Sequence, residues 1–134
     1  MDIAAVLDEV GVALKTITGL RVFDYPAGKI TPPAAIVALP DDITYDTTYG
    51  RGADTFVVPV IVVVGKNSDR VSRNKILAYV AGSGAESVKA AVDGGLYTEG
   101  CSVTVSSASF DTIPIAAVEY LAVVFDVEVV GPGA

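Results

Sequence analysis

Apolar side chains recur at steps of three, four or seven along the first seventeen residues of the chain, with polar residues between them. This period places the apolar positions on one side of a helix, so the sequence predicts a first helix that begins at Ile3, runs to Ile17 and is ended by Gly19. The apolar stripe consists of Ile3, Val6, Leu7, Val10, Leu14 and Ile17.

Two further segments carry helix signals. Residues 68–81 are predicted as a second helix, which Ser68 caps because a serine hydroxyl can accept from the first free backbone amides. Ser83 and Glu86 have the spacing of a capping box, in which each side chain accepts from the other residue's backbone N–H. The sequence therefore predicts a third, shorter helix that begins after Ser83 and runs to Val92.

Period-two patterns and β-branched runs predict six strands. They cover residues 20–23, 34–39, 43–49, 54–64, 102–109 and 116–130. The later half of the 54–64 strand is apolar on both faces, which is typical of a strand at the centre of a domain, although Pro59 cannot donate to a ladder. In the last strand, alternate residues share one face, which is predicted to be buried. These residues are Leu121, Val123, Phe125, Val127 and Val129.

The polar hairpin over residues 43–52 carries large side chains that a surface loop does not need. Two glycines supply its turn, and Tyr45, Tyr49 and Arg51 lie along it. Tyrosine and arginine are enriched among the residues that anchor protein interfaces. These three residues are therefore candidate interface residues, with an ordinary solvent-exposed loop as the alternative.

Length and composition indicate one domain with a core of its own. The chain has 134 residues, of which 51% are hydrophobic and 19% are charged. We expect a single domain over residues 1–130 and a flexible tail over residues 131–134. No apolar run approaches the roughly 18 to 20 residues that span a bilayer, so no membrane association is expected. The acidic start lacks a signal-peptide pattern, which favours synthesis in a cytoplasm.

The side chains that most often perform catalysis are scarce. The chain contains no histidine and one cysteine, Cys101, for which a small buried apolar role fits better than that of a nucleophile without a histidine partner. The segment Gly65-Lys66-Asn67-Ser68 follows a strand, but Val60 stands where a phosphate-binding loop requires glycine, and Asn67 where it requires Ser or Thr. We expect no enzyme activity and no cofactor.

The charges suggest two kinds of surface. The formal net charge of −7 argues against nonspecific binding to nucleic acid. Four of the nine cations lie within ten residues, at Lys66, Arg70, Arg73 and Lys75. This cluster is either a solvated helix face or a contact for an acidic surface, such as that of a neighbouring copy, and Arg70 and Arg73 are candidate interface residues. The acidic pairs, Asp41-Asp42 and Asp126 with Glu128, fit a solubilising surface better than a divalent-ion site.

In the order of its features, the chain resembles the tail terminator proteins of long-tailed bacteriophages, especially those of actinobacteriophages. The resemblance covers nearly the whole chain and rests on an N-terminal helix, a long apolar strand and a set of short motifs. The motifs are Tyr25-Pro26, Pro32 to Val37, Pro40 with Tyr45, Arg51 to Asp54, Gly84 to Val88 with Ser87, and Tyr120 to Val127. One departure is the shortness of the segment from Gly94 to Cys101.

The resemblance implies an α+β fold with a twisted, mainly antiparallel sheet, helices packed on one side and a projecting β-hairpin. It also implies a structural virion protein that forms a hexameric ring at the head–tail junction. Such a ring caps the tail tube, stops its polymerisation and provides the docking surface for the head connector. Its partners are then further copies of the chain, the tail tube protein and the head–tail connector, while DNA passes through an acidic lumen without specific binding.

Two other classes of protein stay open. A neighbouring neck protein of the same junction, such as a head-closure adaptor, would share the size and acidity of this chain. A small enzyme or ligand-binding domain of the α/β type is the third class, which a metabolite bound to the purified protein would support.

Overall fold

Three helices and six strands make up the described part of the chain, which confirms the predicted α+β class. The computed structural model describes residues 2–17, 19–23, 33–45, 53–66, 70–98, 100–115 and 118–132. In chain order the elements are α1 (Ile3–Leu14), β1 (Arg21–Phe23), β2 (Ala34–Val37), β3 (Ile43–Thr44), β4 (Ala53–Lys66), α2 (Arg70–Val80), α3 (Val88–Asp93), β5 (Ser102–Ile115) and β6 (Val118–Pro132).

One sheet contains all six of these strands. Its order is β1-β2-β4-β6-β5, and β3 pairs with β4 outside this path. β1 and β2 are parallel, whereas every other pairing is antiparallel, so the prediction of a mainly antiparallel sheet is confirmed. The apolar strand β4 lies at the centre, as predicted, because it pairs with β2 and β3 along one side and with β6 along the other.

The helices pack on one face of this sheet. Alternate residues of β4 and β6 point to that face, and their buried side chains form one core with those of the helices. Central members of this core are Val58, Val60, Val62, Val123, Phe125 and Val127 from the sheet, and Val6, Val10, Leu14, Ile76, Tyr79, Val88 and Val92 from the helices. The buried face predicted for the last strand is therefore confirmed.

The first helix is shorter than the apolar stripe that predicts it. Asp2 caps α1 by accepting from the backbone N–H of Ala5 at 3.3 Å, and the regular helix ends at Leu14 instead of Ile17. Tighter turns follow, in which the N–H of Ile17 donates to the carbonyl of Leu14 at 3.1 Å. Ile17 is nevertheless buried, so the stripe predicted the packing correctly and the helix length wrongly.

The third helix begins later than predicted. Ser87, and not Ser83, caps α3, because its hydroxyl accepts from the backbone N–H of Ala90 at 3.1 Å. Glu86 instead pairs with Lys75 of α2, with 3.3 Å between Nζ and Oε1. The predicted capping box is therefore wrong, since the carboxylate that would complete it links α2 to the segment before α3.

Pro59 lies in the interior of β4 without breaking the ladder. Its carbonyl accepts from the N–H of Ala38 at 3.0 Å. Since the N–H and C=O positions of an extended residue point to the same side, the missing donor also faces away from β6. On that side β2 has ended at Val37, and β3 begins only at Ile43. The proline therefore lies where no strand requires its N–H.

β5 and β6 form a hairpin that is longer than predicted. β5 continues to Ile115 instead of ending at Ser109, because its later residues still pair with the first half of β6, down to Val118. A bulge at Ser106 interrupts the ladder between Val105 and Ser107. Period-two patterning is weak beyond the bulge, which explains why the predicted strand stops early.

The end of β6 corrects the predicted tail. Gly131 pairs with Asp54 and Pro132 pairs with Ala53, so these two residues of the expected tail belong to the sheet. The first residues of β4 extend far enough to pair with them. Residues 133–134 lie outside the described residues.

Candidate interaction surfaces

The predicted interface residues lie near opposite ends of β4. Tyr45 follows β3, which pairs with the start of β4, and its side chain is 65% exposed. Arg70 and Arg73 lie in the first turns of α2, which follows the other end of β4. A strand rises about 3.3 Å per residue, so roughly 36 Å of β4, from Thr55 to Lys66, separates the two places. Tyr49 and Arg51 lie outside the described residues, as does the tip of the predicted hairpin.

The outer side of α2 combines arginine with exposed aliphatic side chains. α2 buries Ser72, Ile76 and Tyr79 on its inner side, so its opposite side points away from the sheet. This outer side, named here the basic face, presents the exposed residues Arg70, Val71, Arg73, Asn74 and Leu77. Val71 is 76% exposed and Leu77 is 52% exposed. Neither arginine side chain forms a hydrogen bond or an ion pair within the described ranges.

Lys75, another member of the predicted basic cluster, already forms contacts within the chain. Its Nζ lies 3.3 Å from Oε1 of Glu86 and 5.8 Å from the centre of the Tyr79 ring. The Lys66 side chain and Ser68, the predicted cap of α2, lie outside what the structure describes. The cluster therefore divides into a lysine that holds α2 in place and two arginines that point into solvent.

A cleft of about 300 Å³ opens beside β3 on the other face of the sheet. It is lined by Asp42, Thr44, Thr55, Phe56, Val57, Glu128, Val129 and Val130. Phe56 and Val129 belong to the core beneath the helices, so the residues that alternate with them point away from the helices. We name this site the acidic cleft.

Two carboxylates and two aliphatic side chains dominate the acidic cleft. Asp42 and Glu128 are exposed, and neither has an ion-pair partner in the part of the chain that the structure describes. Val57 is 40% exposed and Val130 is 44% exposed. Such a cleft is suited to a surface that offers both positive charge and apolar area.

The charge pattern of the sequence also indicates an acidic surface. From residue 90 onward the chain has six carboxylates and no lysine or arginine. The carboxylates are Asp93, Glu99, Asp111, Glu119, Asp126 and Glu128. Asp126 accepts from the hydroxyl of Ser107 at 3.0 Å, whereas Glu128 lines the acidic cleft. The two predicted acidic pairs thus contribute one carboxylate each to the cleft.

The outer edge of β5 is capped by α3 at one residue. The N–H of Val105 donates to Oδ1 of Asp93 at 2.9 Å, and its carbonyl accepts from Nζ of Lys89 at 3.2 Å. Lys89 and Asp93 also pair with each other at 2.7 Å. Since β5 is the last strand of the sheet, these side chains satisfy backbone groups that point away from β6. The cap lies directly before the bulge at Ser106.

Replacing Asp93 by alanine should expose the Val105 amide and lower the free energy of unfolding by about 1–2 kcal/mol, because a hydrogen bond and an ion pair are lost together. Amide hydrogen exchange is the measurement, and protection should fall at Val105 and not in β4. Asp93→Asn is the matched control, since asparagine keeps an acceptor oxygen for the same amide. Equal protection of Val105 in the wild type and in Asp93→Ala would rule out the cap.

Three hydrogen bonds, one made by Tyr97 and two accepted by Glu9, hold the segment that follows α3. The hydroxyl of Tyr97 donates to the carbonyl of Val92 at 2.6 Å. Glu9 of α1 accepts from the backbone N–H of Thr98 at 2.8 Å and from its hydroxyl at 3.1 Å. The segment is therefore attached to both α3 and α1.

The alkaline limit of stability should depend on Tyr97. Burial, followed by the negative charges of Cys101, Asp93 and Glu9, raises the pKa of Tyr97 from 10.0 to about 12. Folding therefore favours the neutral phenol, and this contribution to stability is complete below about pH 10 and lost as the pH rises through about 12. Denaturant unfolding between about pH 9 and pH 12 should show a smaller loss of stability for Tyr97→Phe than for the wild type. Equal losses in the two proteins would contradict this assignment.

No membrane helix and no metal cluster occur among the described residues. Each helix there is too short or too polar to cross a bilayer. In the same ranges, no three His, Cys, Asp or Glu side chains are grouped so that they could hold a metal ion. Cys101 lies half-buried against the core, so it is less buried than the sequence predicts.

Comparison with known proteins does not assign the chain to a family. A scan against protein-family models finds no match, and a search of curated proteins finds no significant sequence relative.

Proposed function

We propose that the chain is a structural subunit of a bacteriophage virion that assembles into a ring at the end of the tail tube. The ring stops tube polymerisation and offers the surface on which the head connector docks, as the resemblance to tail terminator proteins implies. Its partners are further copies of the chain, the tail tube protein and the connector, at the head–tail junction.

The observation that carries this proposal is the placement of two unlike surfaces on one fold. The basic face of α2 lies on the helical side, whereas the acidic cleft opens on the opposite face of the sheet. Contacts between two different patches are heterologous, and they generate a ring when the rotation between copies closes. Opposite charge on the two patches favours this head-to-tail arrangement over a contact between identical faces.

A ring that ends a tube also needs two faces that differ from each other. Growth by heterologous contacts has no intrinsic end, so a subunit terminates growth if one face fits the last ring of the tube and the other does not. The fold supplies such a difference, since helices cover one face of the sheet and the other presents strand side chains such as Thr44, Val57 and Glu128.

The length of tail tubes assembled in vitro tests this function. A tail tube protein from the genome that encodes this chain is polymerised with and without the purified chain, and tube lengths are measured by electron microscopy. We expect shorter tubes as more chain is added, with additional ring density at one tube end. Unchanged lengths and bare tube ends would contradict the proposal.

Binding experiments with the purified chain and the assembled tubes distinguish a terminator from the neck-protein alternative. A head-closure adaptor would bind the connector and leave tube growth unchanged. Pull-down of the chain on tubes and on connector rings, each alone, therefore distinguishes the two functions. We expect the purified chain to bind tubes in the absence of connector.

A further inference from the structure

We propose that the contact between neighbouring copies is formed by the basic face of α2 on one copy and the acidic cleft on the next. This inference rests on the proposed function, because it names the surfaces through which ring subunits bind each other. In this contact Arg70 and Arg73 pair with Asp42 and Glu128. The occupant of the acidic cleft is thus a second copy of this chain.

Charge complementarity is the first argument for this contact. Arg70 and Arg73 are exposed and have no partner among the described residues, and the same holds for Asp42 and Glu128. Two cations on one patch therefore match two carboxylates on the other. A guanidinium group can bind a carboxylate through two parallel hydrogen bonds, which gives such a contact direction as well as charge.

The apolar parts of the two surfaces match as well. Val71 and Leu77 are 76% and 52% exposed beside the arginines, while Val57 and Val130 are 40% and 44% exposed beside Glu128. Protein interfaces combine an apolar centre with a polar rim, and a helix laid into a groove is a recurring mode of recognition. The basic face is convex and the acidic cleft is concave, so their shapes agree with this mode.

One copy cannot make this contact with itself. Ile76 and Tyr79 fix α2 against the core on the helical face of the sheet. The acidic cleft opens on the opposite face, beside the start of β4 and not beside its end. Within the described ranges neither surface is covered, so each can bind a different neighbour. A head-to-tail contact of this kind builds a ring or a helical array, and not a symmetric dimer.

Charge reversal provides the test. One double variant carries Arg70→Glu and Arg73→Glu, and a second carries Asp42→Lys and Glu128→Lys. Self-association of each variant, and of their equimolar mixture, is measured by sedimentation velocity. Thermal unfolding confirms that each variant is folded. The single substitutions Arg73→Glu and Glu128→Lys replace the double variants if either of these does not fold.

Two matched controls reverse the same number of exposed charges at other places. Lys15→Glu with Arg21→Glu matches the arginine variant, and Asp8→Lys with Glu119→Lys matches the carboxylate variant. These controls change the net charge by equal amounts, so they separate a specific contact from a general effect of charge on association.

We expect each reversed variant to associate at least tenfold more weakly than the wild type, while the controls associate as the wild type does. The mixture of the two reversed variants should recover association, because each reversed patch then meets its opposite on the other variant. Wild-type association weaker than about 1 mM, or reversed variants that associate as tightly as the wild type, would overturn the contact.

Capping of tail tubes by the same variants separates this inference from the function on which it rests. If the reversed variants shorten tubes as well as the wild type does, the contact is wrong and the proposed function stands. If wild-type copies associate through this contact but leave tube length unchanged, the contact stands and the proposed function is wrong.

Discussion

Replacing Phe125 by alanine is expected to lower the free energy of unfolding by about 3–5 kcal/mol, a large part of the roughly 5–15 kcal/mol that stabilises a domain. Phe125 is 1% exposed in the middle of β6, where it pairs with Val60 of β4 and Ala108 of β5. These neighbours are short side chains held by two ladders, so they cannot move far enough to fill the cavity. Urea unfolding followed by circular dichroism measures the loss.

Phe110 provides the matched control for this substitution. It pairs with Val123 in the same hairpin, but its side chain is 57% exposed. Phe110→Ala should therefore lower the free energy of unfolding by only about 1–2 kcal/mol, because less than half of its side chain is removed from water. Equal losses at Phe110 and Phe125 would show that the helices do not cover the sheet as described.

Gly65→Ala should lower the free energy of unfolding by about 1–3 kcal/mol, as is typical of overpacking. Gly65 follows the irregularity in β4 and lies under α2. A β-carbon added there would overlap with the hydroxyl oxygen of Ser72 and lie 3.3 Å from its Cβ. Because Ser72 is itself buried, either its hydroxyl has to rotate to another position or α2 has to move away from the sheet to admit one methyl group.

A double-mutant cycle isolates this contact. Ser72→Ala removes the overlapping oxygen, so the double variant Gly65→Ala with Ser72→Ala should be more stable than the sum of the two single losses indicates. Gly82→Ala is the control, since a β-carbon at Gly82 meets nothing within 4 Å. Strictly additive losses in denaturant unfolding would exclude the steric explanation.

The buried sides of the elements could be predicted from the sequence because they follow from hydrophobic periodicity alone. Val6, Val10 and Leu14 were placed on one helix side, and alternate residues of the last strand on one sheet face, and both sets enter the core. The central place of β4 followed from its apolar composition on both faces. These predictions depend only on which side chains leave water.

Element ends could not be predicted equally well, because they depend on single hydrogen bonds. The sequence predicts Ser83 as the cap of the third helix, whereas the bond from the Ala90 amide selects Ser87. Glu86 has the spacing of a capping box but pairs with Lys75, on a helix that is separate in sequence. A local sequence pattern cannot predict whether a side chain will bind a local or a distant partner when both are present.

The candidate surfaces were predicted in part. The sequence indicates Arg70 and Arg73 as contacts for an acidic surface, and they lie together on α2. It does not indicate the acidic cleft, because Asp42 and Glu128 are far apart in sequence and meet only through the pairing of β3, β4 and β6. The long segment without cations after Lys89 was the sequence feature that could have indicated it.

The central position of β4 has a consequence for the order of folding. β5 and β6 are consecutive strands whose ladder closes at Ile115 and Val118, so their hairpin can form by local zipping within microseconds. The ladder between β4 and β6 instead closes a loop of more than fifty residues even at its nearest pair, Lys66 and Tyr120. Loop closure of this length slows folding. We therefore expect the β5–β6 hairpin to form first and β4 to pair with β6 afterwards.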